Sequence, residues 1–395
     1  MSPSLSRVLA GGICALIVGM GIGRFAYTPL LPALQQAGGM GAHAAGILAS
    51  INYVGYLVGS LAAAALPQSW PRVALFRGAL LVSIGATVLM ALAPDPRLWA
   101  LSRLIAGIAS AAVLILSSEI VVRTLQRHGR PALVGVHFAG VGLGIALTGI
   151  VTALLGDRLG WAGGWIVLTA LSLVLAPFSW HWLASFEPAR PAAATAASSA
   201  ASPWAPLVAL ALAYFCEGAG YVVTATFLVA IVKMMPALSD VAPWFWVAVG
   251  LAGAPSAILW SRIGARIGLL AALIAAHLVQ AVGIVAPVFS DAPVVVLVSA
   301  LLFGATVIGI TALVVAYASR TGGARAGRMI GLLTASFSVG QIVGPMVAGK
   351  LAEEGGFDLP LVLAAITVVV GALLLGVGAM AAQGAAFTTR KRVAP

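Results

Sequence analysis

Twelve runs of predominantly apolar residues, at 8–34, 44–66, 73–93, 98–122, 131–155, 161–183, 205–232, 243–260, 267–290, 292–318, 328–350 and 360–383, leave little chain for anything else. A helix needs about 20 such residues to cross a bilayer. Helix is also the form in which a single run satisfies its own backbone hydrogen bonds there. The pattern predicts an all-α membrane protein with twelve transmembrane helices. Only 8% of the side chains are charged, against about a quarter in soluble domains. The first run follows Arg7 but is too long for a cleaved signal peptide and lacks a small-x-small closure, so it reads as a retained span. Cys14 and Cys216 both fall inside runs, which supports neither a disulfide framework nor a zinc site. No metal and no cofactor is expected.

The formal charge of +11 would suit a nucleic-acid partner if it formed a patch, but it is distributed by loop. Arg7, Arg72, Arg77, Arg123, Arg127, Arg130, Arg190, Arg262, Arg266, Arg320, Arg325, Arg328, Arg390, Lys391 and Arg392 fall on one set of alternating loops. The other set holds Arg97, Arg158, Lys233 and Lys350 among the acids Asp95, Asp157, Asp240, Asp291, Glu353, Glu354 and Asp358. Cytoplasmic loops carry the excess of Lys and Arg. Both termini are therefore expected in the cytoplasm, and the basicity reports topology, with no nucleic acid implied.

Between the sixth and seventh runs lies a stretch of small residues and prolines without apolar periodicity, Glu187 to Pro203, which reads as a flexible cytoplasmic linker. The expected organisation is a six-helix bundle over 1–185, a linker over 186–204 and a second bundle over 205–395. Internal repetition supports a duplication. Trp70-x-Arg72-x5-Gly78 recurs as Trp260-x-Arg262-x5-Gly268, Gly107 with Arg123-Thr124 as Gly304 with Arg320-Thr321, and Gly140-x3-Gly144-x4-Gly149 as Gly340-x3-Gly344-x4-Gly349, all in the same order.

With these features the chain resembles the major facilitator superfamily over nearly its whole length. Arg103-Leu-Ile-Ala-Gly107-Ile-Ala109 is similar to that superfamily's fourth-helix arginine motif, and Ser261-Arg262-Ile-Gly264-Ala-Arg266 to its basic loop motif. The first-half copy of the loop motif, Gln68-Ser-Trp-Pro-Arg72, has no aspartate. The segment Gly23-Arg-Phe-Ala-Tyr-Thr-Pro-Leu-Leu-Pro32 is similar to the YbfB/YjiJ-type branch. The resemblance implies two pseudo-symmetric six-helix bundles around a central cavity, with the first and seventh helices facing each other across it.

An ionisable side chain deep in a span costs at least about 2.5–3.5 kcal/mol, so it faces a cavity or a partner. Arg24, Arg103, Glu119 and Glu217 are the candidates. Arg24 shares a helix face with Tyr27 and Thr28, and Glu217 shares a stripe with Tyr221 and Thr224. The duplication sets Arg24 and Glu217 on related helices, about one turn apart in depth. Two readings follow: a buried Arg24–Glu217 ion pair joining the halves, or Arg24 as bidentate anchor for an anionic substrate with Glu217 as proton carrier. Arg103 is either a second cavity cation or a residue reaching the interface.

Glu119 stands four residues before Arg123 near a helix end, the favourable order for a helical pair, and with Arg123, Arg262 and Arg266 is expected in gating. "SSEIVVRTLQRHGR" also resembles the inner-end segment of sugar porters, where such a glutamate belongs to an intracellular gate. Asn52, Tyr53, Tyr56 and Gln341 complete the expected substrate lining. His137 is read either as a proton relay or as a hydrogen-bonded structural histidine. His277 and Gln280 are read as packing, and both glycine series as sites of close helix contact.

The expected function is proton-coupled secondary transport of a small organic solute, a carboxylate-bearing anion, by rocking of two bundles around a midplane site. A drug or metabolite efflux antiporter is the alternative, and a non-transporting membrane sensor the remote one. Enzymatic chemistry has no support: there is no nucleotide-binding Gly-Lys-Ser/Thr loop and no catalytic constellation. The expected setting is the bacterial inner membrane, with small-molecule substrate, protons and lipid as partners and the chain acting as a monomer.

Overall fold

A computed structural model describes residues 4–67, 69–184, 204–322 and 326–393. The linker, with Arg190 and also Arg325, lies outside the described residues, as do the side chains of Asp157, Arg390, Lys391 and Arg392. The helices are α1 Leu5–Gly38, α2 Ala42–Ala65, α3 Arg72–Leu92, α4 Pro96–Arg127, α5 Pro131–Gly156, α6 Arg158–Trp182, α7 Leu207–Lys233, α8 Ser239–Gly253 plus Ser256–Ile267, α9 Leu269–Phe289, α10 Pro293–Gly322, α11 Ala326–Gly355 and α12 Asp358–Ala381. Eleven are long and apolar enough to span a membrane, and the two segments of α8 taken as one span make twelve.

Local chemistry sets the breaks. Pro255 has no N–H to return to the preceding turn, and α8 bends there by 44°. Gly39 ends α1 at φ 58°, where its N–H and that of Met40 cap the Gln35 carbonyl, a conformation that costs glycine little. Asp95 caps α4 by accepting from the Arg97 N–H at 2.8 Å ahead of Pro96 in the first turn. The middle of α1 is a π-helix from Ile17 to Phe25, a wider winding that recurs at functional positions, and it carries Arg24.

The packing repeats between halves. In the first, α1 lies on α5, α2 on α4 and α3 on α6; in the second, α7 lies on α11, α8 on α10 and α9 on α12. The halves meet where α2 packs on α11, α5 on α8 and α1 on α7. Both glycine series serve close approach, and the same division of labour appears in each. Gly140 and Gly144 let α1 of their own half approach while Gly149 abuts Val247 of α8. Gly340 and Gly344 abut α7 of their own half while Gly349 abuts the Ala42 carbonyl of α2.

One end of the bundle gathers the Arg-rich loops and the other the acidic ones; we call them the basic and acidic ends. Four hydrogen bonds among the described residues cross between the halves, all toward the acidic end. Thr28 Oγ1 donates to the Ala225 carbonyl, and Ser50 Oγ to that of Ile342 at 2.7 Å. The His43 N–H reaches Glu353 Oε1 at 3.1 Å, and Trp246 Nε1 reaches Thr148 Oγ1 at 3.3 Å. Toward the basic end of α11, Gly327 and Gly331 have no neighbour within 4 Å of where a side chain would start. The acidic end is closed.

Candidate functional site

Arg24 projects from the π-helical turn of α1 and is 4% exposed. Its guanidinium lies 4.0 Å from the Tyr56 ring centroid and 4.8 Å from that of Tyr53, both on α2. Its own neighbour Phe25 stands at 5.4 Å. Each desolvated cation–π contact stabilises by about 2 kcal/mol, which offsets part of the burial cost. The Nε and Nη2 atoms of Arg24 have no hydrogen bond of normal geometry.

Arg103 of α4, 2% exposed, lies beside it. Its guanidinium sits 4.6 Å over the Tyr27 ring and donates through Nη1 to the Arg24 carbonyl at 3.3 Å. Its Nε is without a partner. Arg103 is therefore a buried cation next to Arg24 and does not reach an interface.

Several expected lining residues hold this pair in place. Asn52 donates to the Arg103 carbonyl at 2.8 Å and so ties α2 to α4. Tyr27 donates to the Ala45 carbonyl at 2.8 Å. From the second half Tyr221 borders the same cavity as Phe25 and accepts from the Gln341 amide of α11. The Tyr221 ring stacks on Phe337 at 5.4 Å, with Phe303 beyond it at 6.4 Å. Thr224, one turn further, is buried with its hydroxyl unpartnered. A small, mostly apolar cavity lies between the halves, lined by Phe25, Tyr221, Ala225, Trp246 and Phe303.

The structure does not bring Glu217 to Arg24. Glu217, 2% exposed, lies against α9, its Oε2 3.8 Å from His277 Nε2 and its carboxyl within reach of Gln280. The ion-pair expectation fails for a geometric reason. The repeat fixes depth along a helix, whereas the contact depends on direction around it, and Glu217 is directed at His277 of α9. His277 and Gln280, expected as packing, are functional candidates instead. The available signal was their i, i+3 spacing on an otherwise apolar helix, since buried polar groups seek partners.

His137 is buried, with Nε2 3.0 Å from Ser118 Oγ and its ring against Phe138 and the Gly12 backbone. These described contacts lie within the first half and involve neither Arg24 nor Glu217. At the basic end Glu119 takes Arg123 Nη2 at 2.6 Å and Arg72 Nε at 3.6 Å. Arg72 belongs to the loop motif that has no aspartate, and Glu119 of α4 gives it an acidic partner. Arg262 and Arg266 are exposed, with no acidic partner among the described residues, and Ala316 holds the repeat position of Glu119.

Comparison with known proteins adds a family and a fold. The family described as "Uncharacterised MFS-type transporter YbfB" matches residues 16–376. A gallate transporter of Pseudomonas putida is 28% identical over 179 residues, a match spanning 43% of this chain and 39% of that protein's own length. Crystal structures of the nucleoside transporter NupG superpose over nearly the whole chain. One, of a mutant form, gives a TM-score of 0.72 at 15% identity, covering 95% of this chain and 99% of its own. A second gives 0.69 at 18% identity, covering 94% and 98%.

Proposed function

The chain belongs to the YbfB family of MFS-type transporters, and from that premise we propose that it is a proton-coupled secondary transporter of a small, carboxylate-bearing organic anion. The observation that supports the substrate class is the pair of buried guanidiniums, Arg24 and Arg103, with no carboxylate against either among the described residues. An uncompensated buried charge costs several kcal/mol even after relaxation. A carboxylate entering between the halves removes that cost by pairing bidentately with Arg24. The surrounding rings of Tyr53, Tyr56 and Tyr221 suit a flat solute, so an aromatic carboxylate such as gallate is the first candidate. An uncharged nucleoside would leave both cations unpaired.

In this reading the bundles 1–185 and 205–395, joined by the 186–204 linker, rock about the arginine site in a monomer. The basic end and both termini face the cytoplasm of a bacterial inner membrane, so the closed acidic end is the outer gate. Thr28 fastens that gate, and Glu119 with Arg72 and Arg123 fastens the helix ends at the inner one. Glu217 carries the proton.

The test is thermal melting of the purified protein with gallate, benzoate, a nucleoside and a cationic dye, on the wild type, Arg24→Ala and Arg24→Lys. A ligand at 100 times its Kd stabilises by about 2.7 kcal/mol. Gallate or benzoate should raise the melting temperature of the wild type only, because lysine lacks the planar fork. Stabilisation by the dye that survives Arg24→Ala would overturn the anion reading in favour of efflux.

A further inference from the structure

Apart from the arginine site, the second half holds a buried polar cluster of its own. Glu217 on α7 and His277 and Gln280 on α9 are each 2% exposed or less, inside the second bundle. Glu217 Oε2, His277 Nε2 and both amide atoms of Gln280 lack a hydrogen bond of normal geometry.

The tautomer of His277 follows from one contact. Its Nδ1 stands 2.8 Å from the Leu273 carbonyl, and a carbonyl only accepts, so Nδ1 carries the hydrogen. In the neutral ring Nε2 is then a bare acceptor. It points at Glu217 Oε2 from 3.8 Å, which in an ionised carboxylate is also a bare acceptor. Two buried acceptors facing each other are each left unsatisfied, at the cost of desolvation without a bond. One proton added to the carboxyl converts the arrangement into a donor and an acceptor, the carboxyl O–H facing the bare Nε2.

We propose that Glu217 and His277 form a single proton-binding site that holds one proton between them, separate from the arginine site. Loss of the proton leaves a carboxylate and a neutral imidazole. The Gln280 amide N–H then offers the carboxylate a replacement donor, so α7 and α9 shift slightly between the two forms. The other titratable neighbours are the Tyr214 and Tyr221 phenols and the Cys216 thiol, all on α7. From α12, Gly371 lies against His277, and the charged residues of α11 and Asp358 of α12 stand toward their helix ends. Arg24 reaches α7 at Tyr221. Only in what the proton drives does this rest on the transport reading above.

Infrared difference spectroscopy of the purified, ligand-free protein across a pH titration tests it, because a protonated buried carboxyl has its own C=O band. The wild type should show such a band, and Glu217→Gln should lack it. In His277→Gln the band should persist with its midpoint moved by about one pH unit or more, the mark of a coupled pair. A Glu217 band with the same midpoint in His277→Gln overturns the shared proton, as does the absence of a titrating band in the wild type. Melting curves check that each variant is folded; if His277→Gln fails, His277→Asn takes its place. Gallate binding is measured on the same samples. A moved midpoint without gallate binding refutes the anion reading alone, and gallate binding with a fixed midpoint refutes the shared proton alone.

Discussion

Replacing Gly349 by valine should open the acidic end. A Cβ built on Gly349 meets the Ala42 carbonyl carbon at 3.0 Å and His43 Cα at 3.1 Å, with the Ala42 oxygen closer still. Carbon atoms pack best at about 3.5–4.0 Å. Backbone cannot swing aside as a side-chain tip can, so α2 and α11 must separate, and valine adds two methyl groups beyond the Cβ. Overpacking of this kind costs about 1–3 kcal/mol. Here the cost falls only on the closed arrangement, because the clash is between halves and not within one. A bias of about 1–3 kcal/mol changes a two-state equilibrium by about 5–150-fold. Alkylation of a reporter cysteine at Ser50, whose hydroxyl bonds the Ile342 carbonyl across the same seam, reads the change once Cys14 and Cys216 are replaced by alanine. The expected result is labelling faster by that factor in Gly349→Val at nearly unchanged melting temperature. Gly340→Val, whose clash is with α7 inside the second half, should lower the melting temperature and leave labelling alone. Equal labelling rates in Gly349→Val and its parent, with both folded, would refute the assignment of Gly349 to the gate.

Glu119→Gln removes the acid from Arg123 and from Arg72, whose side chain is 8% exposed. It should destabilise by about 1–3 kcal/mol, the cost of an unpartnered buried polar group, whereas Arg262→Gln, on an exposed residue, should stay within about 0.5 kcal/mol; thermal melting in detergent separates them. Tyr56→Leu takes away the nearest ring from Arg24 and should lower stability by about 2 kcal/mol beyond any packing loss, while Tyr56→Phe keeps the ring and most of that contact. If the anion site is at Arg24, gallate affinity should fall in Tyr56→Leu by more than in Thr224→Val, measured by titration calorimetry.

Helix number, loop charge and the two glycine series were legible because each depends on a property that runs along the chain: length of apolar runs, alternation of loops, or a repeated small residue. Gly140, Gly144 and Gly149 and their counterparts could be assigned to close contacts from spacing alone. Which of them faces the other half could not, because that depends on the rotation of each helix about its own axis. Glu119 illustrates a second limit. Its i, i+4 relation to Arg123 is local and was visible. Its contact with Arg72 joins the far end of α4 to the start of α3, a pairing between helices that no local spacing shows.

The same distinction explains the separation of Arg24 from Glu217. Along α7, Glu217 and Tyr221 are one turn apart, and successive residues in a helix rotate by about 100°, so four residues return within about 40° of the start while climbing about 6 Å. A modest rotation of the helix then suffices to send Tyr221 toward α1 and Glu217 toward α9. Tyr221, hydrogen-bonded to Gln341 of α11, lies one turn along α7 from the acid that faces His277. Compensation is incomplete at both the arginine pair and the acid–histidine pair. Among the described residues the arginines have no carboxylate against them and Glu217 Oε2 and His277 Nε2 have no donor; in the proposed function each deficit is met by a different small species. Since α7 carries both Glu217 and Tyr221, the proposed shift of α7 on proton loss would move the wall of the proposed anion site as well. In the proposed transport cycle that shared helix is the mechanical connection between anion and proton.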